Sequence, residues 1–300
     1  MNAPAQRGIH PVLYSFFNGD GSLDHGAIAA QVEWTLAAGA HGIVTLGIAS
    51  EVVKLDVLER RQVMATVAKQ VDRRVPLAVT VAEPSVVGQI DFVHRAKDLG
   101  TDWVILQSPQ SRVPEAVLVE FTAAVADAAG IDCAVQSNPG NMDVALSNAA
   151  LLELHRRCPN IRLLKAEANV AAAADLAAAS DMAVFGGRNG LELVSGLAAG
   201  FAGNVPAPEF TTELSRVYEV ATSGGADALA MARRLHASLV PAIVFVNHNL
   251  QTQLCYGKRL LAQRMGMREV HDRSPALPPS AFGLRELDAL VAGIAMDARP

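Results

Sequence analysis

A rhythm constrains this chain more than any single residue does. Eight short apolar runs of β character recur along its first two thirds: "HPVLYSFF" (10–17), "GIVTLG" (42–47), "PLAVTVA" (76–82), "DWVILQ" (102–107), "DCAVQS" (132–137), "IRLLK" (161–165), "MAVFG" (182–186) and "GFAGNV" (200–205). They are nearly continuous in apolar character rather than alternating, the pattern of parallel strands covered by helices. Between them the spacing turns helical, as at 23–39, 58–71, 85–100 and 115–130, with Gly39, Gly100 and Gly130 where C-terminal caps belong. Eight βα units predict an α/β fold closed into a (β/α)8 TIM barrel rather than an open doubly wound sheet. The absence of G-x-G-x-x-G after the first run points the same way. Beyond about residue 210 the chain reads as helices, interrupted by the proline-rich "SPALPPSAFG" (274–283). The predicted division is a barrel domain over 1–225 that carries the site, and a small C-terminal helical extension over 226–300.

Composition narrows the partners. A net charge of −5 argues against nucleic acid and anionic membranes. Cys133, Cys158 and Cys255 are odd in number and widely spaced, which suits a reducing cytoplasm and shows no disulfide or zinc framework. "MNAPAQRGIHPV" has no apolar signal core, and no stretch reaches the roughly 18 unbroken apolar residues of a membrane span. The eight histidines form no H-x-x-x-H or H-E-x-x-H pair, so no metal is expected. "GIASE" lacks the G-x-S-x-G of a serine hydrolase.

Lys165 is the residue that asks for chemistry. The chain has five lysines, and Lys54, Lys69, Lys97 and Lys258 lie in helical or helix-entry contexts among polar neighbours, where a solvated charge is expected. Lys165 alone ends a strand behind apolar residues, and barrel chemistry sits at the C-terminal ends of strands. Burial disfavours an ammonium, and the neutral amine is a nucleophile toward a carbonyl. An imine with a 2-oxo acid would make a C3 proton acidic or the C3–C4 bond breakable. The alternative is a lysine whose stem packs while its head reaches water.

With Lys165 at the sixth strand end, "GIASE" (47–51) after the second, "QSNPG" (136–140) after the fifth and "GGRNG" (186–190) after the seventh, the chain resembles the dihydrodipicolinate synthase / N-acetylneuraminate lyase family of Schiff-base barrels. The resemblance runs from "GIHPVLYSFF" to the C-terminal helices. It implies an imine lysine at Lys165, no cofactor, a small 2-oxo acid as substrate and a homotetramer. Typical members relay protons through two tyrosines and a threonine. Tyr14, Tyr218 and Tyr256 match none of those positions; Gln136 and Ile48 or Ala49 stand there instead, and "SPQSRVP" (108–114) has no aromatic hydroxyl. Ser50-Glu51, Gln136 with Pro139, Lys165 with Glu167, and Asn247-His248 draw the resemblance toward dehydratases of 2-keto-3-deoxy sugar acids, closest to the L-2-keto-3-deoxyarabonate type.

The expected roles follow. Lys165 forms the imine, and Glu167, two residues on and on the same strand face, removes the C3 proton; its alternative is a structural ion pair. Ser50, Ala49 and the amides of residues 48–51 would receive the substrate carboxylate, with N-capping as the plain alternative for Ser50. Glu51 is placed at the same turn, where it would either meet substrate or brace the loop. Gln136 would orient substrate, since an amide cannot carry a proton at neutral pH. Gly187 would let the glycine-rich turn approach the ligand, with Arg188 and Asn189 to bind a carboxylate or sugar hydroxyls and a tight structural βα turn as the alternative; His248 would reach the barrel mouth from the tail or simply cap a helix. A pyruvate-releasing or pyruvate-condensing aldolase and a non-catalytic keto-acid binder are the competing functions.

Overall fold

Pro11 has no N–H to give to a ladder, and the first strand is cut short around it. In the computed structural model, which describes residues 6–109, 113–139, 142 and 146–297, β1 is only Gly8–Ile9. The predicted strand over 10–17 is corrected accordingly: after Leu13, whose N–H bonds the Val44 carbonyl at 2.9 Å, the chain leaves the sheet. Gly140 and residues 110–112, which the sequence reading used, lie outside the described residues.

Seven strands follow: β2 (Ile43–Thr45), β3 (Leu77–Val81), β4 (Trp103–Leu106), β5 (Asp132–Ser137), β6 (Ile161–Ala166), β7 (Ala183–Gly186) and β8 (Gly203–Asn204). They form one sheet in the order β1-β8-β7-β6-β5-β4-β3-β2, with every pairing parallel. A parallel bridge between Val12 and Val44 brings its two ends together. A curled, all-parallel, eight-stranded sheet is the arrangement the rhythm predicts. β8 is also shorter than the run 200–205. It passes so close to β1 that a Cβ on Gly203 would lie 1.9 Å from the Gly8 carbonyl oxygen.

The first helices begin where polar side chains can satisfy free N–H groups. Asp24 caps α1 (His25–Ala37), Asp56 and Glu59 form a capping box on α2 (Val57–Val71), and Ser85 caps α3 (Val86–Asp98). α4 (Glu115–Ala129) stops at Gly130, whose φ of +63° suits the left-handed cap. α5 (Asn148–Arg157), α6 (Val170–Ala179), α7 (Leu193–Ala198) and α8 (Thr211–Thr222) complete the barrel layer.

The tail is helical, as predicted. α9 (Ala228–Val246) packs on α8 and on α12 (Ala281–Asp297). Between them lie α10 (Leu250–Thr252), a π-helical turn (Gln253–Gly257) and α11 (Lys258–Arg264). Leu214, Val217, Ile243 and Leu287 belong to the second apolar cluster, which ties this tail to α8. α9 is long and apolar enough to cross a membrane by length and composition. In this structure it buries Ala232, His236, Leu239, Ala242, Ile243 and Val246.

Candidate active site

Lys165 is the penultimate residue of β6, in register with Gln136 of β5 and Phe185 of β7. Only 3% of it is exposed, and it lines a cavity of about 460 Å³ at the C-terminal ends of the strands. Leu163 and Leu164, before it in the strand, are buried, and the side chain of Lys165 reaches a cavity and not open water.

Glu167 follows one residue beyond β6. Its N–H still bonds the Ser137 carbonyl at 2.8 Å, so the ladder continues far enough to aim residues 165 and 167 the same way. Both line the cavity, with Lys165 Nζ 3.6 Å from Glu167 Oε2, longer than a good hydrogen bond. Two amides hold that oxygen more closely: Gln136 Nε2 donates at 2.6 Å and Asn138 Nδ2 at 2.7 Å. Gln136 has no choice of orientation. Its Oε1 accepts from Gln107 Nε2 at 2.8 Å, which leaves its NH₂ for the carboxylate. Gln89 Nε2 in turn donates to the Gln107 carbonyl at 2.8 Å. Gln136 therefore meets Glu167 and not the open cavity, and a chain of amides fills the place where the sequence lacks a tyrosine. Among the described residues lining the cavity there is no tyrosine.

Gly187 makes room for Glu167. A Cβ there would fall 2.3 Å from Glu167 Cγ and 2.6 Å from its Oε1. The glycine is required by the carboxylate above it, a contact that residue spacing alone does not reveal. Arg188, Asn189 and Gly190 then run left-handed in succession, with φ of +51°, +55° and +79°. The strain is held by Asn189: its Nδ2 donates to Glu209 Oε1 at 2.7 Å and its Oδ1 accepts the Ala207 N–H at 2.9 Å. Asn189 borders the cavity, but its polar atoms serve this clamp.

Glu209, which the sequence reading did not single out, is fully buried, and burial pushes its carboxyl above the usual range. Tyr14 donates its hydroxyl to Glu209 Oε2 at 2.9 Å, and burial first, then this carboxylate, raises the phenol's pKa. The tyrosine nearest the barrel is thereby committed behind the cavity wall.

The turn after β2 behaves differently from the reading of Ser50. Ile48 and Ala49 line the cavity and Ser50 does not. The Ser50 hydroxyl donates to the Leu13 carbonyl at 2.5 Å, and Ser15 donates to the Ser50 carbonyl at 2.6 Å. Nor does Ser50 cap α2, which starts later, at Val57, and has Asp56 as its N-cap. The N–H groups of Ser50 and Glu51 close 3₁₀ turns onto Gly47 and Ile48, so only the amides of Ile48 and Ala49, at the start of the turn, lack an acceptor within it. Glu51 turns its carboxylate away, to Lys54 Nζ at 2.6 Å and to Lys258 Nζ.

Lys258 is the clearest correction to the sequence reading. Expected among solvated lysines, it is completely buried on α11, and burial lowers its pKa against the opposing pull of Glu51. The tail supplies the rest of the cavity. Val244, Asn247, His248, Asn249, Leu250 and Gln253 form its outer wall, and Asn247 Nδ2 donates to the Arg188 carbonyl at 3.2 Å. His248 is exposed at the mouth. Asn138, Asn249 and Gln253 were not anticipated; Asn138 stands inside "QSNP", and its neighbourhood to Gln136 was the available signal. Among the described residues no three His, Cys, Asp or Glu side chains gather to hold a metal.

Comparison with known proteins identifies the family of the chain. The profile described as the dihydrodipicolinate synthetase family matches residues 5–293. The chain is 30% identical over 272 residues to the L-2-keto-3-deoxyarabonate dehydratase of Azospirillum brasilense, covering 87% of this chain and 86% of that one. It is 28% identical over 232 residues to the 4-hydroxy-tetrahydrodipicolinate synthase of Pelobacter propionicus, covering 74% and 77%. The solved 4-hydroxy-tetrahydrodipicolinate synthase of Methylacidiphilum fumariolicum SolV superposes with a TM-score of 0.89 at 21% identity, covering 97% of each chain.

Proposed function

The chain belongs to the dihydrodipicolinate synthetase family, and from that premise we propose that it is a lyase whose Lys165 forms a Schiff base with a 2-keto-3-deoxy sugar acid and whose Glu167 drives loss of water from it. The observation that carries this reading is a buried lysine inside a cavity, with a carboxylate 3.6 Å away that is held by amides and not by the lysine. Lys165 Nζ attacks the C2 carbonyl, and water leaves as the imine forms. Glu167 takes a C3 proton, and the electron pair moves through C2 toward the iminium nitrogen. The pair then returns to expel the C4 hydroxyl, which leaves as water with the proton that Glu167 carries. In the C5 acid, loss of a C5 proton and protonation at C3 turn the new double bond into a C4–C5 enol, which becomes the semialdehyde as its hydroxyl proton leaves and C4 gains one. Hydrolysis of the imine frees Lys165. The Ile48 and Ala49 amides receive the substrate carboxylate, Gln136 acts through Glu167, and Asn189, Gly187 and His248 shape the opposite wall and mouth. The same reading carries a cytoplasmic homotetramer.

The Azospirillum relative's name favours dehydration; the synthase relatives favour the second reading, in which the same imine makes or breaks C3–C4 as an aldolase. Incubation with C5 and C6 2-keto-3-deoxy acids separates them: a semialdehyde product supports dehydration and pyruvate supports the aldolase. Glu167→Gln should lower turnover by about 10²–10⁴-fold while borohydride still traps the imine at Lys165. Unchanged turnover removes Glu167 as the base. No mass added to the wild type by pyruvate and borohydride would leave the keto-acid binder.

A further inference from the structure

Glu51 sits in the left-handed region, φ +55°, between two 3₁₀ turns. A residue with a Cβ holds that conformation only where its surroundings impose it. Its surroundings are charged. One carboxylate oxygen meets Lys54 and the other meets Lys258, with Glu51 and Lys258 both essentially inaccessible to water. Lys258 Nζ also stands 5.3 Å from the centre of the Phe17 ring, under a strap in which Lys54 Nζ donates to the Arg273 carbonyl and Arg273 Nη1 to the Lys54 carbonyl, each at 2.9 Å.

Two walls of the cavity meet at this pair. Glu51 ends the turn that contributes Ile48 and Ala49. Lys258 directly follows the π-helical turn that begins with Gln253, on the opposite wall. The π-turn is fixed from below, because a Cβ on Gly257 would lie 2.5 Å from the Tyr14 hydroxyl oxygen. A buried ion pair stabilises no better than apolar residues of the same shape would, since desolvation offsets the attraction. What it gives is one geometry: displacement of either wall parts Glu51 from Lys258, leaving Glu51 to Lys54 and the wholly buried Lys258 to Asp272 Oδ1 at 4.0 Å.

We infer that Lys258 is a positioning residue, which through Glu51 sets the distance between the 48–49 wall and the Gln253 wall and so sets how tightly the cavity holds a 2-oxo acid. The inference rests on the reading of Lys165 as the imine lysine only for its binding assay. Lys258→Met should raise the pyruvate concentration that gives half-maximal borohydride trapping at Lys165 by about tenfold, with the plateau of trapping unchanged. The double variant Glu51→Gln/Lys258→Met removes both charges, so it should regain stability yet keep the weakened binding; a merely structural pair would restore both together. The double variant carries the test where the single one fails to fold. Half-saturation equal to that of the wild type in a folded variant overturns the inference. Hydrogen exchange reads the brace without ligand. The amides of Ser50, Glu51, Lys54 and Leu55 should exchange about tenfold faster in the double variant while those of β6 hold, and unchanged exchange also overturns it. A wild type that pyruvate does not modify would sink the imine reading, and the exchange result would still decide the brace.

Discussion

Two lysines are buried among the described residues, and they are buried in opposite ways. Lys165 ends a strand, 3% exposed, faces a cavity, and has its carboxylate neighbour beyond hydrogen-bond reach. Lys258 lies on a helix, wholly enclosed, borders neither the cavity nor solvent, and is in direct contact with Glu51. Burial alone therefore does not mark a nucleophile. A reactive amine needs access and the absence of a tight counter-ion; a structural one has the reverse.

The largest effect that could break this contrast is at the strand end. Lys165→Met should lower turnover by about a thousandfold or more and abolish borohydride trapping, while leaving the fold within about 1 kcal/mol of the wild type in urea. Residual trapping after that substitution, located by peptide mass at Lys258, would reverse the assignment.

The next effect is one of stability. Lys258→Met leaves the buried Glu51 carboxylate with Lys54 alone, and Glu51→Gln leaves the buried Lys258 with Asp272 Oδ1 at 4.0 Å; each should cost up to about 3 kcal/mol by urea unfolding. The two together should cost clearly less than their sum. Additive losses would show that the pair is not coupled and would bring Lys258 closer to an ordinary surface lysine.

His10 supplies a third way of burying a base, and the smallest effect. It is enclosed between Trp103 and Phe185, donates its Nε2–H to the Arg7 carbonyl at 3.0 Å, and burial lowers its pKa from 6.5 to about 4. The folded protein keeps it neutral, whereas the unfolded chain protonates it below about pH 6.5. The unfolded state thus binds more protons, and stability falls as pH drops from about 6.5 to about 4, by up to about 3 kcal/mol. His10→Asn should flatten that part of a pH series of unfolding free energies; an unaltered slope would assign the loss to other groups.

The same comparison shows what a sequence displays and what it conceals. The βα rhythm, Lys165 behind its apolar run and Glu167 two residues on are local patterns, and the strand period aligns the last two. Lys258 was concealed because its helical neighbours Arg259 and Gln263 are polar, while its burial comes from Glu51 and Phe17, more than two hundred residues earlier. Ser50 was misread for a similar reason: its partner is the Leu13 carbonyl, which no spacing around "GIASE" discloses. Gly187 looked like a loop glycine, and its requirement is a carboxylate from another strand. The first strand ended early because one proline outweighed the apolar character of "HPVLYSFF".

The outer wall of the cavity comes from residues 244–253, late in the chain. Lys165 and the segment that encloses it are thus about eighty residues apart along the chain, so a polypeptide halted before Leu250 would hold the lysine at its strand end with that side of the cavity open.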